Sequence, residues 1–302
     1  MSTWFEPMKT DLHIHSKACS DGKMTLPEIF HEADARNIRV ISITDHDNVA
    51  CQETAESLAI EYGMHYISGV ELNISFSHPD YRNGKAVSLD VLGYGYDMRD
   101  APLIHKIDEL MAYRRHRAEE ILRKINREFE KRGLAPFTQE DLQAIEATVD
   151  GAFGRPHIAN YMVKKGIVDT RQEAFDVYLV SCNVPKMPLS LEEAAELIHG
   201  AGGKLMLAHG NDPNGTSLAA LTTSIEEQCR IIRDAMLPLL DGLECWHSRL
   251  SPETTSAYTA LAEAEHLMVS GGSDCHQAPI IMGTVDVPAY VAGQFGIEER
   301  VK

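Results

Sequence analysis

The sequence predicts an α/β barrel whose C-terminal rim carries an all-helical insertion. Three observations lead there. Short apolar β-type runs alternate with helix-patterned stretches, which implies parallel strands joined by crossover helices. His, Asp and Glu recur at the ends of those runs, where the active site of such a barrel lies. One long stretch, residues 101–187, contains no convincing β-type run.

The first run, KTDLHIH (9–15), is followed by a helical pattern over 26–35, and the second, RVISITDH (39–46), by one over 52–62. HYISGVELNIS (65–75) and VSLDVLGYG (87–95) come next. After the insertion, KLMLAH (204–209), DGLECWH (241–247) and HLMVSGGSD (266–274) resume the alternation and bring the strands to seven. The insertion reads as helices over 103–132, 139–147, 156–165 and 171–180, with Pro156 at a favourable first helical position. The barrel domain is therefore 1–100 with 188–302, and 101–187 is a lid and substrate-recognition domain.

The first helix of the insertion carries an apolar stripe of Ile107, Leu110, Met111, Ala118, Ile121, Leu122, Ile125 and Phe129. Arg114 falls inside the stripe and Arg117 at its margin. A charge there is normally paired or functional, so both are candidates for a substrate phosphate or for a structural salt bridge. Gly154-Arg155-Pro156-His157 opens the third helix, whose first N–H groups favour an anion. Arg155 and His157 are expected to grip a phosphate there; the alternative is a surface Arg and a capping His.

At 302 residues and 44% hydrophobic content, the chain can bury a large core without cross-links. Its net charge of −17 makes the surface as a whole repel long nucleic acid and anionic membrane. No apolar run is long enough for a membrane span. The six cysteines show no paired spacing and residues 1–10 no leader pattern, so a cytoplasmic protein with unpaired thiols is expected.

Four segments concentrate metal-ligand types: Asp11-Leu12-His13-Ile14-His15, Thr44-Asp45-His46, Gly69-Val70-Glu71 and Ser273-Asp274-Cys275-His276. Alternation with period two places His13 and His15 on one face, and two converging imidazoles suit a divalent transition metal. His209, ending a strand before Gly210, reads as a ligand or a core histidine. Asp21 before Gly22 reads as a ligand or a turn residue. Asp11, Asp45 and Asp47 are expected to orient imidazoles, and Cys275 to point away as a core filler. No Ser-His-Asp or Cys-His nucleophile pattern and no GxxxxGK[ST] loop competes.

DLHIHSKACSDG, ISITDHDN, SGVE, GRPH, AHG and GGSDCH, in that order from about Thr10 to Gln277, resemble the PHP family of phosphoesterases. EAFDVYL is similar to a helix of its nucleotide-directed branch. The resemblance implies a distorted (β/α)7 TIM-like barrel holding two or three divalent ions (Mn²⁺, Fe²⁺ or Zn²⁺). It implies that His13, His15, Glu71 and Asp274 bind one ion, that Glu71 bridges to a second held also by His209, and that Asp21, His46 and His276 hold a third. Asp90 stands where the family has a His, as a ligand to the second ion, with His78 the alternative. A water activated by the ions is the expected nucleophile at phosphorus, with Asp274, Glu71 and His209 as the catalytic group. The expected substrate is a small nucleotide or sugar with two phosphates or a cyclic phosphate, a second phosphate resting on Arg155, His157, Arg114 and Arg117. The other readings are a histidinol-phosphate phosphatase, a 5'-3' exonuclease on short RNA, a C–N amidohydrolase and a catalytically silent metal-binding module.

Overall fold

The computed structural model describes residues 9–146, 148, 154–185, 187–276 and 280–297. Residues 1–8, most of the segment read for a leader, lie outside them, as do Ala147 and Gln277, where a helix and the resemblance were expected to end. In chain order the elements are β1 (Lys9–Asp11), α1 (Leu26–Ala35), β2 (Ile38–Ile41), α2 (Gln52–Glu61), β3 (His65–Tyr66), β4 (Gly69–Phe76) and β5 (Val87–Tyr94). Then follow α3 (Ala101–Lys131), α4 (Gln139–Glu146), α5 (Arg155–Lys164) and α6 (Arg171–Ala174), which runs into a π-helical turn, Phe175–Leu179. The remainder is α7 (Leu191–Gly200), β6 (Lys204–Leu207), α8 (Ile225–Ile231), β7 (Gly242–His247), α9 (Pro252–Ala264), β8 (Met268–Gly272) and α10 (Tyr290–Gly293).

The chain starts its helices where its capping residues stand. Thr25 and Glu28 form a capping box ahead of α1, the Thr25 N–H donating to Glu28 Oε2 at 2.7 Å. Ser190, Ser224 and Ser251 accept the third-residue N–H of α7, α8 and α9. Helix α1 buries Leu26, Ile29, Phe30 and Ala33, the 3.6-residue stripe that packs it on Ile14, Ile38 and Ile41.

The fold is mixed α/β, and its strands depart from the expected seven parallel ones. HYISGVELNIS splits into β3 and β4, and the strands form two sheets, β1-β2-β3 and β4-β5-β6-β7-β8. Pairing is parallel in the first sheet and across β6-β7-β8, but β4-β5 and β5-β6 are antiparallel. The physical reason lies in the turn-rich link after β4, SHPDYRNGKA, which holds a single 3₁₀ turn, Arg82–Gly84, and is too short for a parallel crossover. Isolated parallel bridges join Ile14 to Cys275 and His46 to Glu71. Glu71 and Asp90 consequently stand inside strands, not at strand ends, and Asn73 is the register partner of Asp90.

Contacts divide the chain into residues 1–105 with 188–302 and residues 106–187. The second unit has its own core, in which Phe129, Ile145, Ile158, Met162 and Leu179 are buried. Within it Arg117, not Arg114, is the buried arginine, and Met111 is exposed. The stripe follows Ile107, Leu110, Ala118, Ile121, Leu122, Ile125 and Phe129, which brings position 117 inward and leaves 111 out. Asp141 ties this unit together: it accepts from the Thr138 N–H (2.8 Å) and the Tyr161 hydroxyl (2.6 Å), and pairs with Lys165 (2.7 Å).

Two cysteines correct the expectation of unpaired thiols. Cys19 and Cys51, 32 residues apart, form a disulfide. It links the loop that bears Asp21 to the residue just before α2. Cys275 is buried in the apolar cluster with Ile14, Ile29 and Phe30. No helix among the described residues is long and apolar enough to cross a membrane.

Candidate metal centre

The loops after β1, β2, β6 and β8 converge with β4 and β7 on one buried cluster of imidazoles and carboxylates. His13 Nε2 and His15 Nε2 come within 3.1 Å of each other. Glu71 Oε2 faces both, at 3.4 and 3.3 Å, and Asp274 Oδ1 faces them at 3.4 and 3.1 Å. The other oxygen of Glu71 is 2.9 Å from His209 Nε2, and His46 Nδ1 is 2.9 Å from Glu71 Oε2. Asp21 lies 3.1 Å from His276 Nε2 and 3.8 Å from His46 Nε2. Four groups of potential ligands lie here among the described residues: His15-Asp21-His46-His276, His13-His15-Asp274, His13-Glu71-His209 and His13-Glu244-His247.

Tight backbone makes this convergence possible. A Cβ on Gly272 would lie 2.3 Å from the His13 N, and one on Gly22 would lie 2.1 Å from the His15 carbonyl oxygen, so only glycine lets these loops approach. His209 and Asp274 themselves have positive φ, 25° and 55°. Non-glycine residues held there mark a strained segment that the surrounding contacts enforce.

Several other candidates have partners of their own. Asp90 is buried 3.9 Å from His209 Nε2, and its oxygens accept from Asn73 Nδ2 at 2.7 Å and from the Thr216 hydroxyl. His78 stays outside the cluster, its ring against Tyr81. Asp11 and Asp45 hold backbone where imidazoles were expected. Asp11 accepts from the Ser273 and Gly283 N–H groups at 2.9 and 2.8 Å, and Asp45 accepts from the N–H and hydroxyl of Ser16, each at 2.7 Å. Asp47 accepts from the Asn73 N–H at 3.0 Å.

The orienting carboxylate is Glu244, which the sequence reading passed over. Its Oε1 meets His13 Nδ1 at 2.9 Å and its Oε2 accepts the His209 N–H at 2.7 Å. His247, on the same strand, places Nε2 3.3 Å from Asp274 Oδ2. Strict alternation would send residues 244 and 247 to opposite faces; a register shift between Glu244 and Trp246 brings both toward His13. A Glu-x-x-His run at a strand end was the available signal, but only with the bulge known does it point inward.

Electrostatics bind the cluster together. Burial disfavours every charge here, yet the carboxylates outweigh it at the rings: Glu244, Glu71 and Asp274 hold His13 well above the ordinary histidine range. Against the same burial, Glu71 raises His46 and His209 to about 9 each. Burial and the neighbouring His276 and His46 lower His15. Glu71 and Asp274 lie well below the usual carboxylate range, because the imidazoles overcome their desolvation. Burial lifts Asp45 to about 7, and burial with the charge of Glu71 lifts Asp90 to about 6.

These side chains fit a divalent transition ion. Glu71 Oε2, Asp274 Oδ1 and His209 Nδ1 are buried without a hydrogen-bond partner, although the two oxygens each face several ring nitrogens. Nitrogen and carboxylate donors gathered so closely, with His13 and His15 shared between groups, suit such ions. His13, His15, Glu71, Asp274, His209, Asp21, His46 and His276 could hold them.

A mixed α/β fold with this donor set defines a metal-dependent hydrolase. The PHP domain model matches residues 11–180, and the chain belongs to the PHP family, whose chemistry is phosphoester hydrolysis. It is similar to a 5'-3' exoribonuclease of Haemophilus influenzae, 33% identical over 204 residues, covering 67% of this chain and 68% of that one. It is also similar to a 3',5'-nucleoside bisphosphate phosphatase of Chromobacterium violaceum, 28% identical over 88% of this chain and 86% of that one. Among solved structures, a protein of Bifidobacterium adolescentis described as a metal-dependent phosphoesterase superposes with a TM-score of 0.71 at 28% identity, covering 96% of each chain.

Proposed function

We propose that this phosphoesterase cleaves small phosphorylated compounds, a nucleotide or sugar carrying two phosphates or a cyclic phosphate. The metal centre takes the phosphate that is cleaved, and Arg155, His157, Arg114 and Arg117 take another. In this reading His13, His15, Glu71 and Asp274 hold one ion, His209, Glu71 and Asp90 a second, and Asp21, His46 and His276 a third, from among Mn²⁺, Fe²⁺ and Zn²⁺. Bound there, the ions supply Lewis acidity to the phosphoryl oxygens and to the attacking water. Asp274 and Glu71 fix the ligand rings, and Glu244 holds His13 in one orientation. The two sheets are then parts of one distorted (β/α)7 barrel.

One observation carries the choice of substrate class. Arg117 and Arg155 stand close enough that Arg155 lowers the pKa of Arg117 after burial has done so. Among the described residues neither makes an ion pair: Arg117 donates to the Val184 carbonyl (2.6 Å) and Asn183 Oδ1 (2.9 Å), Arg155 to the Leu179 carbonyl. Two adjacent guanidinium groups without a counter-ion suit a phosphate. Residues 106–187 also hold 14 of the 28 Lys and Arg but 13 of the 45 Asp and Glu, so this unit lacks the acidic character of the rest. Metal-loaded protein should release phosphate from nucleoside bisphosphates faster than from simple monoesters, and Arg155→Ala should erase that preference, a charge-assisted contact being worth about 1.5 to 3 kcal/mol. Equal losses on both substrate kinds would sink the assignment.

A second reading, 5'-3' trimming of short RNA, is favoured by the similarity to the exoribonuclease and by the same concentration of cations. A 5'-phosphorylated dinucleotide distinguishes the two: trimming cleaves its internucleotide bond, phosphatase action leaves it intact.

A further inference from the structure

Arg249 carries a charge that the roles above do not use. It follows β7 by two residues, and its side chain is 45% exposed. Nε lies 2.6 Å from Asp212 Oδ2, and Nη2 donates to Asp274 Oδ2. Both acceptors are buried, at 1% and 5% exposure. Asp212 belongs to the turn that follows His209, its N–H donating to the His209 carbonyl at 2.9 Å. The guanidinium is thus held at two of its nitrogens, Nε and Nη2, by carboxylates that the fold itself fixes, at the margin of the metal centre.

Its third nitrogen, Nη1, has no partner among the described residues. A half-exposed cation held this firmly loses little further freedom on meeting a ligand, and a planar fork with free N–H groups matches phosphoryl oxygens. The other groups facing Asp274 are ring nitrogens of His13, His15, His247 and His276, which suit an ion.

We propose that Arg249 binds the phosphoryl group being cleaved, its Nη1 donating to a phosphoryl oxygen while Asp212 and Asp274 hold the guanidinium in place. The assignment rests on the phosphoesterase reading of the centre and deepens it. Because it concerns the reacting phosphate, Arg249 serves every phosphate substrate, whereas Arg155 and His157 serve only those with a second phosphate.

Titrating inorganic phosphate calorimetrically into the metal-loaded parent, Arg249→Ala and Arg249→Lys proteins tests this, with metal content measured on each. Turnover is followed on an aryl monoester and on a nucleoside bisphosphate. The alanine variant should keep its ions, bind phosphate about tenfold more weakly or worse, and show KM raised by similar factors on both substrates. The lysine variant should recover part of the affinity. A metal-replete alanine variant within about twofold of the parent in phosphate affinity overturns the proposal. Loss of ions by both variants also overturns it, because Arg249 would then serve only to hold Asp274. If the alanine variant alone loses ions, the lysine variant decides, and unchanged phosphate affinity there overturns the proposal. A parent that binds phosphate through Arg249 but hydrolyses neither substrate counts against the substrate class and leaves the residue assignment standing.

Discussion

At the scale of single residues, Glu244 lies outside the proposed ligand set yet braces two of its members. Glu244 meets both the His13 ring and the His209 backbone, so Glu244→Gln should weaken metal affinity by about 10- to 100-fold while leaving the fold intact. Competition with a chelator of known affinity measures this, and an unchanged affinity would remove Glu244 from the centre. The ring pKa values set a direction for pH. His46 and His209, raised to about 9 with burial overcome by Glu71, hold protons near neutrality that an ion must displace. Metal affinity should therefore fall as pH drops, with protons released on binding, and calorimetry in buffers of different ionisation enthalpy would detect them. Zero release at neutral pH contradicts this. Asp90→Ala should lose about one equivalent of metal if Asp90 is a ligand; full metal content and turnover would leave its carboxylate to Asn73 and Thr216.

At the scale of elements, two cross-links stand out. The Cys19–Cys51 disulfide closes a loop of 32 residues across α1 and β2, and removing it with Cys51→Ser should cost roughly 2 to 4 kcal/mol. Thermal melts with and without reductant measure this; parent and variant melting together would mean the link adds nothing. In the helical unit, burial acts against the Asp141 charge, but Lys165, Tyr161 and the Thr138 N–H hold its carboxyl below the usual range. A depressed carboxylate stabilises above its unfolded pKa and loses that contribution as pH falls through the folded one. Helicity of the parent should therefore begin to drop below about pH 4, and Asp141→Asn should be less stable at neutral pH yet flatter toward acid. Parallel acid titrations of the two proteins by circular dichroism would refute this.

At the scale of the whole molecule, a net charge of −17 opposes long polyanions, while half the cations lie in residues 106–187. Turnover of 5'-phosphorylated RNA should fall with oligonucleotide length and recover partly with added salt, because salt screens the repulsion. Equal rates on long and short RNA would rule this out.

What the sequence by itself determined is local. His13 and His15 share a face because strand periodicity requires it, Thr25 with Glu28 starts α1, and the apolar stripe of α3 marks a packed helix. Each depends on residues a few positions apart, so spacing was enough to read most helices and to single out candidate ligands. Asp21 and His209 stayed open that way, because turn residue, core histidine and ligand look alike in a sequence. Only the tertiary structure decided that β5 runs antiparallel to its neighbours and that Arg117 is the buried arginine. It also showed that Cys19 meets Cys51 and that Glu244, 231 residues from His13, orients its ring. The physical reason is that such pairings depend on loop closure and on a bulge shifting the register by one residue. No local periodicity encodes those events, so Glu244, His247 and Arg249 became visible only when their strand was set against the others.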